Sequence, residues 1–180
     1  YRTFAADGNL MNSTRSTDFI TPKSRASRTF RNSVLDLAQH HAFARRLVNS
    51  GRLSVPSFLT KSALNTADAE PFAGDMVPGA PMDDAPIRVG ERDGWLLDQV
   101  GNRFQLLVFA DSAGAVDAAT LAQFKSFAGD AIAVEPVVVT PSGGQMAGVT
   151  VLADAQGLVA RRYDAKPGTT YLIRPDQHVA

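Results

Sequence analysis

Apolar positions fall into two regimes along this chain, one with helical spacing in the first fifty residues and one with strand-like runs after residue 90. Ala26, Phe30, Val34, Leu37 and Ala38 recur three and four residues apart, which draws one stripe on a helix. Thr21-Pro22 predicts its start, because Thr is a good N-cap and Pro in the first turn gives up only an N–H that has no helical partner. Arg25, Arg28, Arg31 and Asp36 lie off the stripe. Phe43, Ala44, Leu47 and Val48 continue the spacing toward Asn49-Ser50-Gly51, with a break expected near His40-His41. Residues 3–15 predict a shorter helix, weakened by Gly8.

From Arg52 to Arg88 the pattern disappears. Pro56, Pro71, Pro78, Pro81 and Pro86 punctuate the stretch, which predicts an extended connector over 51–90 and a domain boundary there. The pattern then returns. Trp95–Gly101 predicts a short helix or turn, and the apolar run Phe104–Ala110 predicts a central strand buried on both faces. Asp117–Phe127 predicts a helix with Ala118, Leu121, Phe124 and Ala128 on one face. Ile132–Val139 and Gly148–Leu152 predict strands, and Asp154–Tyr163 a helix with Leu158 and Val159 inward. Thr169–Ile173 and the residues from His178 predict a hairpin, whose Arg174-Pro175-Asp176-Gln177 corner suits a type I turn. A parallel pair joined by a crossover helix, followed by an antiparallel hairpin, makes an α/β fold: a thioredoxin-like mixed sheet with flanking helices over 91–180, preceded by a helical segment over 1–50.

Composition narrows the chemistry. The 180 residues are 44% hydrophobic, enough for a core, and 18 basic residues balance 18 acidic ones. That balance provides no overall field for nucleic acid or an anionic membrane. No apolar run is long enough to span a bilayer, and the first residues lack the apolar core of a signal peptide. The chain has no cysteine, which fits a cytoplasmic location. The missing initiator Met and a last strand that stops in progress suggest a piece of a longer polypeptide.

Absence of cysteine also decides the thioredoxin question. The redox pair of such a fold belongs just after the first central strand, where this chain has Ala110-Asp111-Ser112-Ala113-Gly114. His40 and His41 are adjacent, so on a helix they diverge by about 100° and do not form a chelating pair. Gly143-Gly144 lack the lysine of a phosphate loop and the dinucleotide spacing. Ser112 has no histidine partner in sequence, and Asp83, Asp84, Glu91 and Asp93 are too loosely spaced for a calcium loop. No catalytic, cofactor-binding or metal residue is therefore assigned. Arg45, Arg46 and Arg52 with Asn49 make a basic corner, read either as a solvated helix C-terminus or as an inter-domain contact.

Ser13–Pro22 and Phe43–Ser54 resemble the segment that follows the flavin domain in aromatic-ring hydroxylases of the 3-(3-hydroxyphenyl)propionate hydroxylase and phenol monooxygenase type. Pro78–Pro86 is similar to the connector of that family and Tyr171–Ala180 to its closing hairpin, with Gln177 where the family usually has glycine. The resemblance implies a full-length enzyme that uses FAD and NAD(P)H to hydroxylate a phenolic substrate. Neither cofactor would be bound by this fragment, because the glycine fingerprint for flavin would lie upstream of Tyr1. It further implies an upstream FAD-binding domain as partner, contacts to it through Arg15, Asp18, Arg45 and Arg52, and room for a homodimer. Two other readings stand beside it: a stand-alone, redox-inactive thioredoxin-like interaction module, and a small-molecule carrier. An exposed apolar face on the 22–50 helices favours the hydroxylase reading; a face covered by its own chain favours the module.

Overall fold

The computed structural model describes residues 2–48, 56–63, 65–127 and 131–180. The chain divides into two compact units, Tyr1–Ser57 and Phe58–Ala180. The first is helical: α1 (Arg2–Ile20), α2 (Arg25–His40) and α3 (Ala42–Val48). The expected break at His40-His41 is present, with His41 as the extended C-cap of α2. The expected start of α2 moves. Thr21 closes α1 instead, its N–H and hydroxyl both donating to the Thr17 carbonyl. Ser24 caps α2, its Oγ accepting the Ser27 N–H at 3.1 Å. α1 is also longer than expected, since Gly8 costs only about 1 kcal/mol inside a helix otherwise free of breakers.

The second unit carries a six-stranded mixed sheet in the order β2-β1-β5-β4-β3-β6. Its strands are β1 (Pro86–Val89), β2 (Arg92–Trp95), β3 (Phe104–Phe109), β4 (Val134–Thr140), β5 (Thr150–Ala153) and β6 (Thr170–Ile173). Its helices are α4 (Leu96–Gln99), α5 (Ala118–Phe127) and α6 (Leu158–Arg162). β3 and β4 run parallel around the crossover helix α5, β5 runs parallel to β4, and β6 runs antiparallel to β3. Val179 then bridges back to Ile173. A parallel crossover pair next to an antiparallel hairpin is the thioredoxin-like plan expected from the pattern.

The two-sided burial of β3 follows from strand period. Leu107 and Phe109 enter one core with Val137, Val139, Leu152, Val159 and Ile173. Val108 turns to the opposite face and packs with Phe124, Val138 and Val151 under α5. Asp117 caps α5, its carboxylate accepting the Thr120 N–H at 2.7 Å, a bond that lowers its pKa.

The connector expected over 51–90 is corrected by the fold. Residues 51–55 lie outside the described residues, but from Phe58 the stretch belongs to the second unit. Met76, Ala80, Met82, Ala85 and Ile87 are buried in its larger core. Gly79, at φ +85°, lies where a Cβ would meet the Leu59 backbone at 2.6 Å, and its N–H donates to the Val179 carbonyl. The prolines mark bends in an ordered strap, whose backbone bonds the last hairpin through Met82 N–H on Gln177 O and Val179 N–H on Ala80 O, and itself through Leu59 N–H on Gly79 O. The boundary falls at 57/58, inside the stretch where it was expected, but from Phe58 that stretch belongs to the second unit and is not a linker.

Candidate functional site

The carboxyl ends of β3, β4 and β5 open together, which is where parallel α/β sheets ordinarily receive ligands. A concavity of about 270 Å³ lies there, walled by Phe109, Ala110, Val139, Pro141, Ala160 and Pro167, with Asp111 and Lys166 among the lining residues. The segment after β3 begins a short 3₁₀ turn at Ala113–Ala115, so Asp111-Ser112 occupies the place anticipated for a redox pair. Asp111, Ser112 and Lys166 are exposed.

Among the described residues, Asp154 is the one acidic side chain buried at this edge. Its two carboxylate oxygens accept the N–H groups of Leu158 and Ala160, both at 2.9 Å, so it holds the first turn of α6. Its own N–H donates to the Thr140 carbonyl and its carbonyl accepts the Gly157 N–H. A carboxylate so occupied binds backbone. Thr140 is equally engaged, donating Oγ1 to the Gly143 carbonyl at 2.9 Å.

Below the cavity Phe72, Tyr171, Tyr163 and Phe109 form an aromatic layer, with Tyr163 and Tyr171 edge-to-face at 5.4 Å. Tyr171 donates its hydroxyl to the Tyr163 carbonyl at 2.7 Å, and Tyr163 donates to the Asp83 carbonyl at 2.9 Å. Burial, then Asp68 and Asp164, pushes the Tyr171 phenol up to about 12. Burial, then Asp83 and Asp84, raises the Tyr163 phenol further. Both stay neutral donors: Tyr163 fastens the strap to the end of α6, and Tyr171 fastens β6 to the same end. No buried side-chain polar atom among the described residues lacks a partner.

The remaining expectations separate cleanly. Arg15 and Asp18 are exposed on α1, and Asp18 lies 3.8 Å from Lys23. Arg45 donates to the Ala38 and Gln39 carbonyls and so caps the end of α2; Arg46 is exposed. Arg52 lies outside the described residues. Arg15 and Asp18 thus stand on α1 and Arg45 at the end of α2. His40 and His41 are exposed, while His178 turns toward Asp176. No cluster of His, Cys, Asp or Glu suited to a metal ion occurs among the described residues, and no described helix is long and apolar enough to cross a membrane. A Cβ on Gly143 or Gly144 would meet Ala153 or Ala113 of this chain at 3.1 and 2.7 Å, so packing at this turn calls for glycine.

Sequence reasoning missed the β1–β2 hairpin and the role of Gln177. The hairpin signal is Gly90-Glu91 between Val89 and Arg92, a two-residue loop with Gly first at φ +59°. Gln177 adopts φ +59° after the expected turn and donates Nε2 to the Leu97 and Val100 carbonyls at 2.7 and 2.6 Å.

No curated protein sequence matches the chain. Among solved structures it is similar to the rebeccamycin biosynthetic enzyme RebC with reduced flavin, at a TM-score of 0.55 and 18% identity over 99% of this chain and 31% of that one. It is also similar to the flavin-dependent monooxygenase PieE in complex with FAD and substrate, at a TM-score of 0.52 and 21% identity over 91% of this chain and 28% of that one. At these identities the likeness concerns fold, and the chain spans less than a third of either enzyme. A family model described as the HcaD C-terminal domain matches residues 85–180, more than half of the chain, and the chain belongs to that family.

Proposed function

We propose that this chain is the C-terminal structural and oligomerisation portion of a flavoprotein monooxygenase that hydroxylates a phenolic compound in the cytoplasm, using FAD and NAD(P)H. The observation that carries the reading is the apolar surface of the first unit. Leu10, Ile20, Phe30 and Phe43 are each more than 60% exposed, and Phe4 and Leu47 are exposed with them. So many large apolar side chains on three helices favour an interface with a missing partner, here an upstream FAD-binding domain. Exposed Arg15 and Asp18 would border that interface; Arg45, committed to capping α2, would serve it through its helix.

The reading places FAD in the upstream domain; the concavity at the carboxyl edge of this chain, about 270 Å³, is smaller than most cofactor pockets, about 300–1,000 Å³, which supports that placement. This segment would hold and shield a reaction centre supplied elsewhere, so no chemical step is routed through it. The similarity to RebC and PieE supports the reading at the level of fold.

The test is a flavin titration of the 180-residue chain followed by fluorescence quenching, beside the longer polypeptide that contains it. The chain alone should show no stoichiometric FAD binding, and the longer polypeptide should hold FAD and oxidise NAD(P)H in response to a phenol. Tight one-to-one FAD binding by the chain alone, or a longer polypeptide without flavin, overturns the proposal.

A further inference from the structure

The concavity at the carboxyl ends of β3, β4 and β5 has an apolar floor and a polar mouth. Phe109 and Val139, both buried, lie at its base, and the small side chains of Ala110, Ala160 and Ala165 leave its space of about 270 Å³ open. Polar groups deeper in it are engaged within the fold. The Asp154 carboxylate holds the Leu158 and Ala160 N–H groups, and Thr140 donates to the Gly143 carbonyl. At the mouth the opposite holds. Asp111 and Lys166 line the same concavity and are exposed. Among the described residues neither side chain joins a hydrogen bond or an ion pair, and they do not pair with each other.

Size and charge together select a ligand. An apolar cavity of about 150 Å³ holds one benzene molecule, so the space here takes a six-membered ring with its substituents. Phe109 belongs to the aromatic layer with Tyr163 and Tyr171 and gives a flat ring an aromatic neighbour. The mouth offers one cationic donor and one anionic acceptor. A ring bearing a carboxylate meets the like charge of Asp111, and a ring bearing an ammonium meets that of Lys166. A hydroxyl is donor and acceptor at once. It can donate to the Asp111 carboxylate and accept from the Lys166 ammonium, and both bonds gain from the charge of the protein group.

We propose that this concavity is a non-covalent binding site for a small neutral phenol, with its ring over Phe109 and Val139 and its hydroxyl between Asp111 and Lys166. The ligand class follows from the size of the space and the two charges at its mouth, and does not rest on the reading above. A failed flavin titration leaves the phenol site standing, and a failed phenol titration leaves the placement of FAD standing.

The test is fluorine NMR of the 180-residue chain at pH 7 with 4-fluorophenol, beside fluorobenzene, 4-fluorobenzoate and 4-fluorobenzylamine. The 4-fluorophenol signal should broaden saturably with a Kd of about 1 mM, and each of the other three should bind about fivefold more weakly or worse. Lys166→Met and Asp111→Asn alter exposed side chains and spare the core. Lys166→Met should weaken 4-fluorophenol about fivefold, and Asp111→Asn should let 4-fluorobenzoate bind more tightly than it binds the native chain. Ala160→Leu should fill the space and abolish binding of 4-fluorophenol. Absence of saturable binding, a comparator that binds the native chain as tightly as 4-fluorophenol, or affinity for 4-fluorophenol unchanged in Lys166→Met or in Ala160→Leu overturns the proposal.

Discussion

Asp154→Ala removes both acceptors that hold the first turn of α6. The Leu158 and Ala160 N–H groups each lose a carboxylate oxygen at 2.9 Å, in a side chain that is buried in the native protein. A hydrogen bond to a charged group contributes about 1.5–3 kcal/mol. The freed donors lie beside the cavity at the carboxyl edge, where water can reach them, so the lower end applies and the pair together should cost about 2–3 kcal/mol. A unit of about 120 residues unfolds with an entropy near 0.25 kcal/mol/K, so the melting temperature should fall by about 8–12 °C. The protein's single tryptophan, Trp95, lies in this unit and reports its unfolding by fluorescence in urea or on heating. Asp154→Asn keeps one acceptor and should lose about half as much. A loss below about 0.5 kcal/mol for the alanine variant would show that the carboxylate does not hold α6, and would return Asp154 to the pool of groups free to act on a ligand.

Two further outcomes follow from the closing hairpin and the aromatic layer. Gln177→Ala keeps the left-handed backbone and loses both bonds to the Leu97 and Val100 carbonyls, so it should cost about 2 kcal/mol; Gln177→Gly also relieves the backbone and should cost about 1 kcal/mol less. Equal urea midpoints for the two variants would refute that account. Above the ordinary tyrosine value of about 10, the unfolded chain sheds phenolic protons that folded Tyr171 keeps to about 12, and folded Tyr163 keeps longer. This stabilisation is therefore complete below pH 10 and declines as pH rises through the folded values. The urea midpoint of the Trp95 transition should fall over that window, and in Tyr163→Phe it should fall less; a flat profile contradicts the buried assignment.

Much of the second unit was legible because its elements carry local signals. The apolar run Phe104–Phe109, the β-branched stretch before Thr140 and the Pro-Asp corner of the last hairpin each depend on period or turn chemistry within a few residues. The lack of any thiol was likewise decided by composition alone, since no folding can supply a missing sulfur. The start of α2 was misplaced because Thr21 and Ser24 are both competent caps; the choice rests on α1 running on to Ile20 and claiming Thr21. The strap from Phe58 to Ala85 could not be read as core. Its prolines break every period, and its order comes from bonds to residues about a hundred positions later, such as Gly79 N–H on Val179 O. The same holds for Tyr163, whose hydroxyl finds the Asp83 carbonyl only after α6 packs under the strap. Local propensity is written in neighbours along the chain, so the sequence by itself determined β3 to β6, most helices and the absence of thiol chemistry. Burial of the strap, occupation of Asp154 and the concavity at the carboxyl edge depend on contacts between distant segments, and only the tertiary structure decided them.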